Sequence, residues 1–540
     1  MRVDVPAEPV GVLSGAWREC VGTGRVDLAL RADYLESLAL VQDAIGFRYV
    51  RGHGLFSDGM AVYRAYDGAA GRAVRHSFTH VDQVVDGWLR HGIRPFLELG
   101  FMPGELASGD QTVFWWQGNV TPPKSYAEWS ELVSATLRHL VDRYGVEEVR
   151  RWPIEVWNEP DLTQFWQDAS QNEYHRLYEV TAKAVKDVDA ELQVGGPAIS
   201  PGSDDWWEPF AEFVTAKDAP IDFVSRHGYS SGQAQPVPFG VYQTLAPPSS
   251  LLDQFAAPRR HLAGTPLADL PVHITEFNTS YRPDNPIHDT AYNAAYLAPV
   301  VAGGGDLVDS FSYWTFCDVF EEVGVPTSLF HGGFGLVSHR GLPKPTFHLY
   351  VFMARAGRHI LARGADHLVT RHDDGRVTVL AWQPVGGSDD GPYGSAPERH
   401  ELRLDVPVGA APGTSVAMIR RSVDEESGNA WTLWRELGSP RHPSHRQLDL
   451  LHEASRPTVR HSSLTTGNDG RVALDLILTR HEVTLVDLLP AGPANGSAEN
   501  PTAAPGEPDG SGSPGLNDVA GIDDGRLLGH TPFGEGGAQG

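Results

Sequence analysis

Between about residue 20 and residue 316, short β-rich runs alternate with helix-patterned stretches, and this alternation restricts the fold more than any other feature of the chain. The strand-like runs lie at 19–22, 47–52, 93–99, 154–158, 192–196, 221–227, 272–277 and 310–316. Amphipathic stretches fall between them near 32–44, 76–90, 125–143, 206–216, 248–262 and 287–301. A further one opens on Ser170-Gln171-Asn172-Glu173, which reads as a capping box, and continues with Tyr174, Leu177, Tyr178, Val185 and Val188 on one face. Eight parallel strands with seven crossovers predict a closed (β/α)8 barrel, a TIM barrel, rather than an open doubly wound sheet. An open sheet with a dinucleotide site would carry G-x-G-x-x-G directly after a strand, and none stands there.

After about residue 350 the pattern changes to period-two alternation in 367–383, 401–408, 415–424 and 471–488, separated by Gly, Pro and Asp. This predicts a C-terminal antiparallel β-sandwich. The expected division is an N-terminal strand within 1–15 packing on the sandwich, the barrel over 16–349, the sandwich over 350–490 and a disordered tail over 491–540, where large apolar residues are few.

Charge narrows the partners. The 43 Lys and Arg against 69 Asp and Glu leave −26, which repels nucleic acid and anionic membranes but not a neutral substrate. The start of the chain has no apolar h-region behind a basic one, and no run of about 18 apolar residues occurs, so a cytoplasmic protein is expected. Cys20 and Cys317 suit free thiols in a reducing compartment, although a single disulfide between them stays open, as does homo-oligomerisation.

In such a barrel the working groups come from the C-terminal strand ends. Glu159, in Asn158-Glu159-Pro160, follows the fourth strand, and Glu276 lies near the end of the seventh. Glycoside hydrolysis needs two such carboxyl groups, one to protonate the departing oxygen and one to attack or to activate water. The plainer alternatives are an exposed strand-end acid for Glu159 and an ion pair with Arg282 for Glu276. Glu98 and Glu155 fall too early in their strands to reach the mouth and read as buried partners.

The stretches FRYVRGHGLFSDGMAVY, FWWQGNVTPP, WPIEVWNEPDLTQFW, VSRHGYSS, VHITEFN and SYWTFCDVFEE, in this order, resemble glycoside hydrolase family 39, whose best-known members are β-xylosidases and α-L-iduronidases. The likeness runs from about Gly22 to Leu349 and is greatest to the β-xylosidases. It implies a retaining, exo-acting enzyme that releases β-linked xylose from short xylo-oligosaccharides, with Glu159 as acid/base and Glu276 as nucleophile. Asn158 is then the donor to the sugar 2-hydroxyl, Tyr229 the partner of the nucleophile, and His227 a contact to a hydroxyl or carboxylate. His53, in the loop after the second strand, is a candidate for holding a sugar hydroxyl. Trp314, Trp115 and Trp116 offer faces to sugar C–H groups, with core packing the plainer role for Trp115 and Trp116. Glu322 resembles a position that binds glycone hydroxyls, and Glu321 is its rival. No metal or other cofactor is expected.

Within the same family an α-L-iduronidase, α-L-arabinosidase or β-galactosidase activity stays open, because loop shape can admit or refuse a single substituent of the sugar. Two readings from other classes compete. Gly228-Tyr229-Ser230-Ser231-Gly232 fits the G-x-S-x-G of serine esterases, but the Pro-rich GQAQPVPFG follows where that elbow needs a helix. A silent sugar-binding protein is the other, disfavoured by the presence of both carboxylates. His442 and His445 are spaced like metal ligands, but RHPSHR reads as a Pro-broken solvated loop with no third ligand.

Overall fold

Parallel strands buried on both faces need a cover on each, and here the cover is a ring of helices outside and a layer of side chains inside. The strands are β1 (Cys20–Arg25), β2 (Tyr49–His53), β3 (Arg94–Leu99), β4 (Pro153–Val156), β5 (Gln193–Ile199), β6 (Phe223–Tyr229), β7 (Val272–Asn278) and β8 (Ser310–Tyr313). They close in sequence order, β8 pairing with β1, and every pairing is parallel. The computed structural model describes residues 2–68, 71–237, 240–387 and 396–490, so the tail expected over 491–540 lies outside the described residues.

The crossover helices are α1 (Ala32–Ala44), α2 (Thr79–Arg90), α3 (Tyr126–Tyr144), α4 (Gln171–Val188), α5 (Trp207–Lys217), α6 (Ser249–His261) and α7 (Ala291–Gly303). An eighth, α8 (Pro345–Ala354), follows β8. The stretch expected to begin a helix at 76 instead ends a hairpin, Tyr63–Gly68 with Gly71–His76, and α2 starts three residues later. Ser170 does cap α4, its Oγ accepting from the Glu173 N–H at 3.4 Å. The reciprocal half of the box is absent because the Glu173 carboxylate accepts from the Tyr126 hydroxyl at 2.6 Å.

Beyond α8 the sandwich has two sheets. One has three strands, Arg2–Asp4, Arg399–Pro407 and Arg471–Thr479. The other has seven, running from Gly11–Val12 through His359–Arg363, His367–Arg371, Val377–Trp382, Val483–Pro490 and Ser415–Val423 to Thr458–Thr465. Leu404, Leu474, Val379 and Val486 fill the space between the sheets, while Leu380 and Leu485 on the opposite face join the barrel's core. This double cover is why Val377–Trp382 is buried along its whole length.

Three local features differ from the sequence pattern. The 471–488 run is not one strand: it turns at His481, whose φ is +57°, and its halves belong to different sheets. Arg2–Asp4 joins its neighbour in parallel, so pairing within the sandwich is not wholly antiparallel. RHPSHR is not simply a loop, because Ser444 caps a helix over His445–Ala454. Among the described residues no helix is long and apolar enough to cross a membrane.

Candidate active site

The Asn158-Glu159-Pro160 turn is built from unusual backbone. Trp157 and Glu159 have φ of +72° and +42°, in the left-handed region that costs a non-glycine residue of order 1–3 kcal/mol and is found mostly at functional sites. The reversal is held from outside: the Glu159 N–H donates to Ala198 O at the end of β5 (3.1 Å), and Trp157 Nε1 donates to Phe165 O (2.7 Å). Its result is that the Glu159 side chain, 11 % exposed, turns inward toward β6 and β7.

There it meets His227 and Glu276. His227 Nδ1 lies 2.8 Å from Glu159 Oε1 and 3.6 Å from Glu276 Oε2. Burial and the nearby Arg51 charge push His227 well below its usual pKa, so the ring is neutral. The neutral ring and the Glu159 carboxyl share one hydrogen bond through Nδ1 and Oε1. Burial first, then the Glu276 and Asp161 charges, raise Glu159 well above the usual carboxylate range.

Glu276 is held by donors from two sides. Arg51 Nη1 donates to Oε1 at 2.8 Å and the Tyr229 hydroxyl to Oε2 at 2.7 Å. Burial, then Glu276 and Glu159, push the Tyr229 hydroxyl well above its usual pKa, so it remains a donor. Arg282, the sequence-level candidate for pairing with Glu276, pairs with Asp284 instead at 2.9 Å.

Arg51 is the organising residue that sequence reasoning missed. Fully buried in β2, it reaches Glu155 Oε2 (2.6 Å), Glu98 Oε2 (2.9 Å) and Asn158 Oδ1 (3.0 Å) besides Glu276. Glu98 and Glu155 sit side by side on β3 and β4, so the register brings two acids together and requires a cation between them. Burial opposes the charge on Arg51, but Glu155, Glu98 and Glu276 outweigh it and raise its pKa. Because a guanidinium only donates, Asn158 must turn Oδ1 toward Arg51 and Nδ2 away from it. Arg51→Met is expected to destabilise the protein by about 3–5 kcal/mol, since it strands buried acids without their cation. Urea denaturation at neutral pH measures this, and an unchanged midpoint would contradict it.

His53 is the last residue of β2 rather than part of a loop. Its Nδ1 is 2.7 Å from Glu98 Oε2, and its Nε2 points at Glu276 Oε1 (3.5 Å) and Glu322 Oε1 (3.9 Å). Burial lowers its pKa, but Glu98 and then Glu276 reverse that and the net shift is upward. Trp314 lies against the same ring, centroids 4.7 Å apart, and is only 2 % exposed. It can sit there because β1 has glycine at 22, where a Cβ would come within 2.3 Å of the indole.

The two neighbouring glutamates separate cleanly. Glu321 is taken by Arg25 (2.5 Å) and Arg31 (2.6 Å), away from the carboxylate pair. Glu322 faces His53, and burial, opposed by His53 and reinforced by Glu276, pushes it up to about 8. Trp115 stands apart on the rim, 57 % exposed, and its N–H donates to Glu322 O at 2.7 Å, joining the β3 and β8 loops. Trp116 packs on Phe101 and Phe114. The Ser230 hydroxyl donates to Thr279 O (3.1 Å), and a hairpin, Gln235–Val237 with Gly240–Tyr242, follows it where an esterase elbow needs a helix. Cys20 and Cys317 are free and buried.

Glu159, His227 and Glu276 offer ligand atoms within 4.8 Å of one another, the one such trio among the described residues. The Arg51 charge on the same Glu276 carboxylate opposes a second cation there, so this donor set suits proton chemistry better than a metal.

Two opposed carboxyl groups at the mouth of a TIM barrel, one held with its proton and one clamped by donors, define a glycoside hydrolase. The family model of Glycosyl hydrolases family 39 matches residues 1–473, and the chain belongs to that family. It is 47 % identical over 489 residues to a beta-xylosidase of Geobacillus stearothermophilus, covering 90 % of this chain and 95 % of the relative. A beta-xylosidase of Caldicellulosiruptor saccharolyticus is 34 % identical, with 89 % and 96 % covered. Among solved structures, a monomeric beta-xylosidase from Caulobacter crescentus CB15 superposes with a TM-score of 0.81 at 31 % identity, over 91 % of this chain and all of that one.

Proposed function

We propose that the protein is a retaining, exo-acting β-xylosidase that removes xylose from short xylo-oligosaccharides by double displacement. The observation that carries this reading is the closeness of the two carboxyl groups, whose oxygens approach within 4.8 Å. Retaining glycosidases hold their carboxyl groups about 5–5.5 Å apart and inverting ones about 6.5–9.5 Å apart, and so close an approach of one oxygen from each group supports the retaining arrangement.

In the first step Glu276 attacks the anomeric carbon while Glu159 delivers its proton to the departing oxygen, and the glycosidic bond breaks as the glycosyl ester forms. Asn158 Nδ2 donates to the sugar 2-hydroxyl, a contact that strengthens as positive charge develops on the ring. In the second step Glu159, now ionised, takes a proton from water, which attacks the same carbon and releases Glu276.

A neutral glycone is favoured by what surrounds it. Arg51 is already engaged by three carboxylates and Arg282 is bidentate on Asp284, so neither guanidinium is left to meet a carboxylated sugar. Exo action is supported by the Trp115 to Glu322 main-chain bond, which joins two loops across the β1–β2 side of the mouth. Both relatives described above are named beta-xylosidases. A panel of nitrophenyl xylosides, arabinosides, galactosides and iduronides, with proton NMR of the first-released anomer, tests the reading. Preferred β-xyloside cleavage giving β-xylose first is expected, and α-xylose first or a preference for esters would overturn it.

A further inference from the structure

The ladder between β5 and β6 ends at Ile199 opposite Arg226, three residues before Tyr229, so β5 offers the Tyr229 main chain no partner. A side chain takes its place. Gln254, on α6, accepts from the Tyr229 N–H through Oε1 at 3.1 Å and donates through Nε2 to Tyr229 O at 2.9 Å. One primary amide thus makes the donor and acceptor contacts that a neighbouring strand would make. The helix can approach because residue 228 is glycine: a Cβ there would sit 3.2 Å from Phe255 and 3.7 Å from Gln254 Oε1.

We propose that Gln254 is a positioning residue for the glycosidase reaction, fixing the end of β6 so that the Tyr229 hydroxyl stays on Glu276. The inference rests on the reading of Glu276 as nucleophile. Among the described residues Gln254 hydrogen-bonds to Tyr229 and to neither carboxylate, so its effect runs through Tyr229. Without the amide clamp, Tyr229 gains two unpaired main-chain groups and freedom to shift, and a hydroxyl displaced by even half an ångström from 2.7 Å makes a weaker bond.

The test is a double-mutant cycle on kcat and KM with nitrophenyl β-xyloside. Gln254→Leu should lower kcat about 10-fold with KM changed less than about two-fold, because the lost contact acts on the chemical step. In a Tyr229→Phe background the same substitution should cost less than about two-fold, since the hydroxyl it positions is gone. Gln254→Glu, which keeps the acceptor but not the donor, should fall between wild type and Gln254→Leu, and it serves if the leucine variant does not fold. Equal losses in both backgrounds, or no loss in the wild type, would overturn the assignment. If Tyr229→Phe itself leaves kcat unchanged, the failure lies in the role given to the Tyr229–Glu276 pair rather than in Gln254.

Discussion

Glu276→Ala is expected to lower kcat on nitrophenyl β-xyloside by about 10⁴-fold or more, roughly 5 kcal/mol of lost transition-state stabilisation. The size follows from what the carboxylate does and from the lack of a substitute. Glu276 is the group that Arg51 and Tyr229 aim, with a donor on each oxygen, and alanine leaves both donors pointing at an empty position. Glu322 is near but faces His53 at 3.9 Å, and burial leaves it protonated to about pH 8, a poor nucleophile over most of the neutral range. Circular dichroism and the denaturation midpoint separate lost chemistry from lost structure. In the wild type, a fluorosugar that stalls the second step should add one glycosyl unit to Glu276 by peptide mass spectrometry. An adduct on any other residue would remove Glu276 from its role.

For Glu159→Gln the loss should depend on the leaving group. Natural xylobiose, whose departing alkoxide needs a proton, should turn over about 10²–10⁴-fold more slowly, the usual range for general acid catalysis. A dinitrophenyl xyloside needs no proton to leave, so its covalent intermediate should still form and accumulate, and azide should rescue turnover with β-xylosyl azide as product. Equal losses on both substrates would argue against an acid/base role. The pH profile carries the same information. Because burial, Glu276 and Asp161 hold the Glu159 proton well above the usual carboxylate range, the wild-type rate should fall as pH rises through that raised value. The glutamine variant has no proton to lose and should lack this limb with the activated substrate. In the proposed double displacement, esterification of Glu276 would remove the like charge, lower the proton affinity of Glu159 and suit it to act as base in the second step.

The barrel was legible because its signal is local and repeated: each apolar run and each amphipathic helix announces itself within about a dozen residues. All eight expected runs overlap the strands that form it. The sandwich was legible only in part. The turn at His481 and the polar strand Thr458–Thr465 are set by pairing partners far along the chain. The helix over His445–Ala454, by contrast, carries a local signal, the Ser444–Gln447 capping box, that the proline and histidines of RHPSHR obscure.

At the mouth of the barrel the same division holds. Strand ends and residue types determined that Glu159 and Glu276 would be presented from β4 and β7, with His227 and Tyr229 between them. Sequence alone could not decide the distance between the carboxyl groups, which of Glu321 and Glu322 turns inward, or that Arg51 ties four acidic or amide side chains together. Those depend on strand register and on which charges meet inside a low-dielectric space, where a pairing of a few ångströms sets protonation and geometry together. Such pairings join residues up to 296 positions apart, so the chemistry belongs to the closed barrel and not to any one segment of the chain.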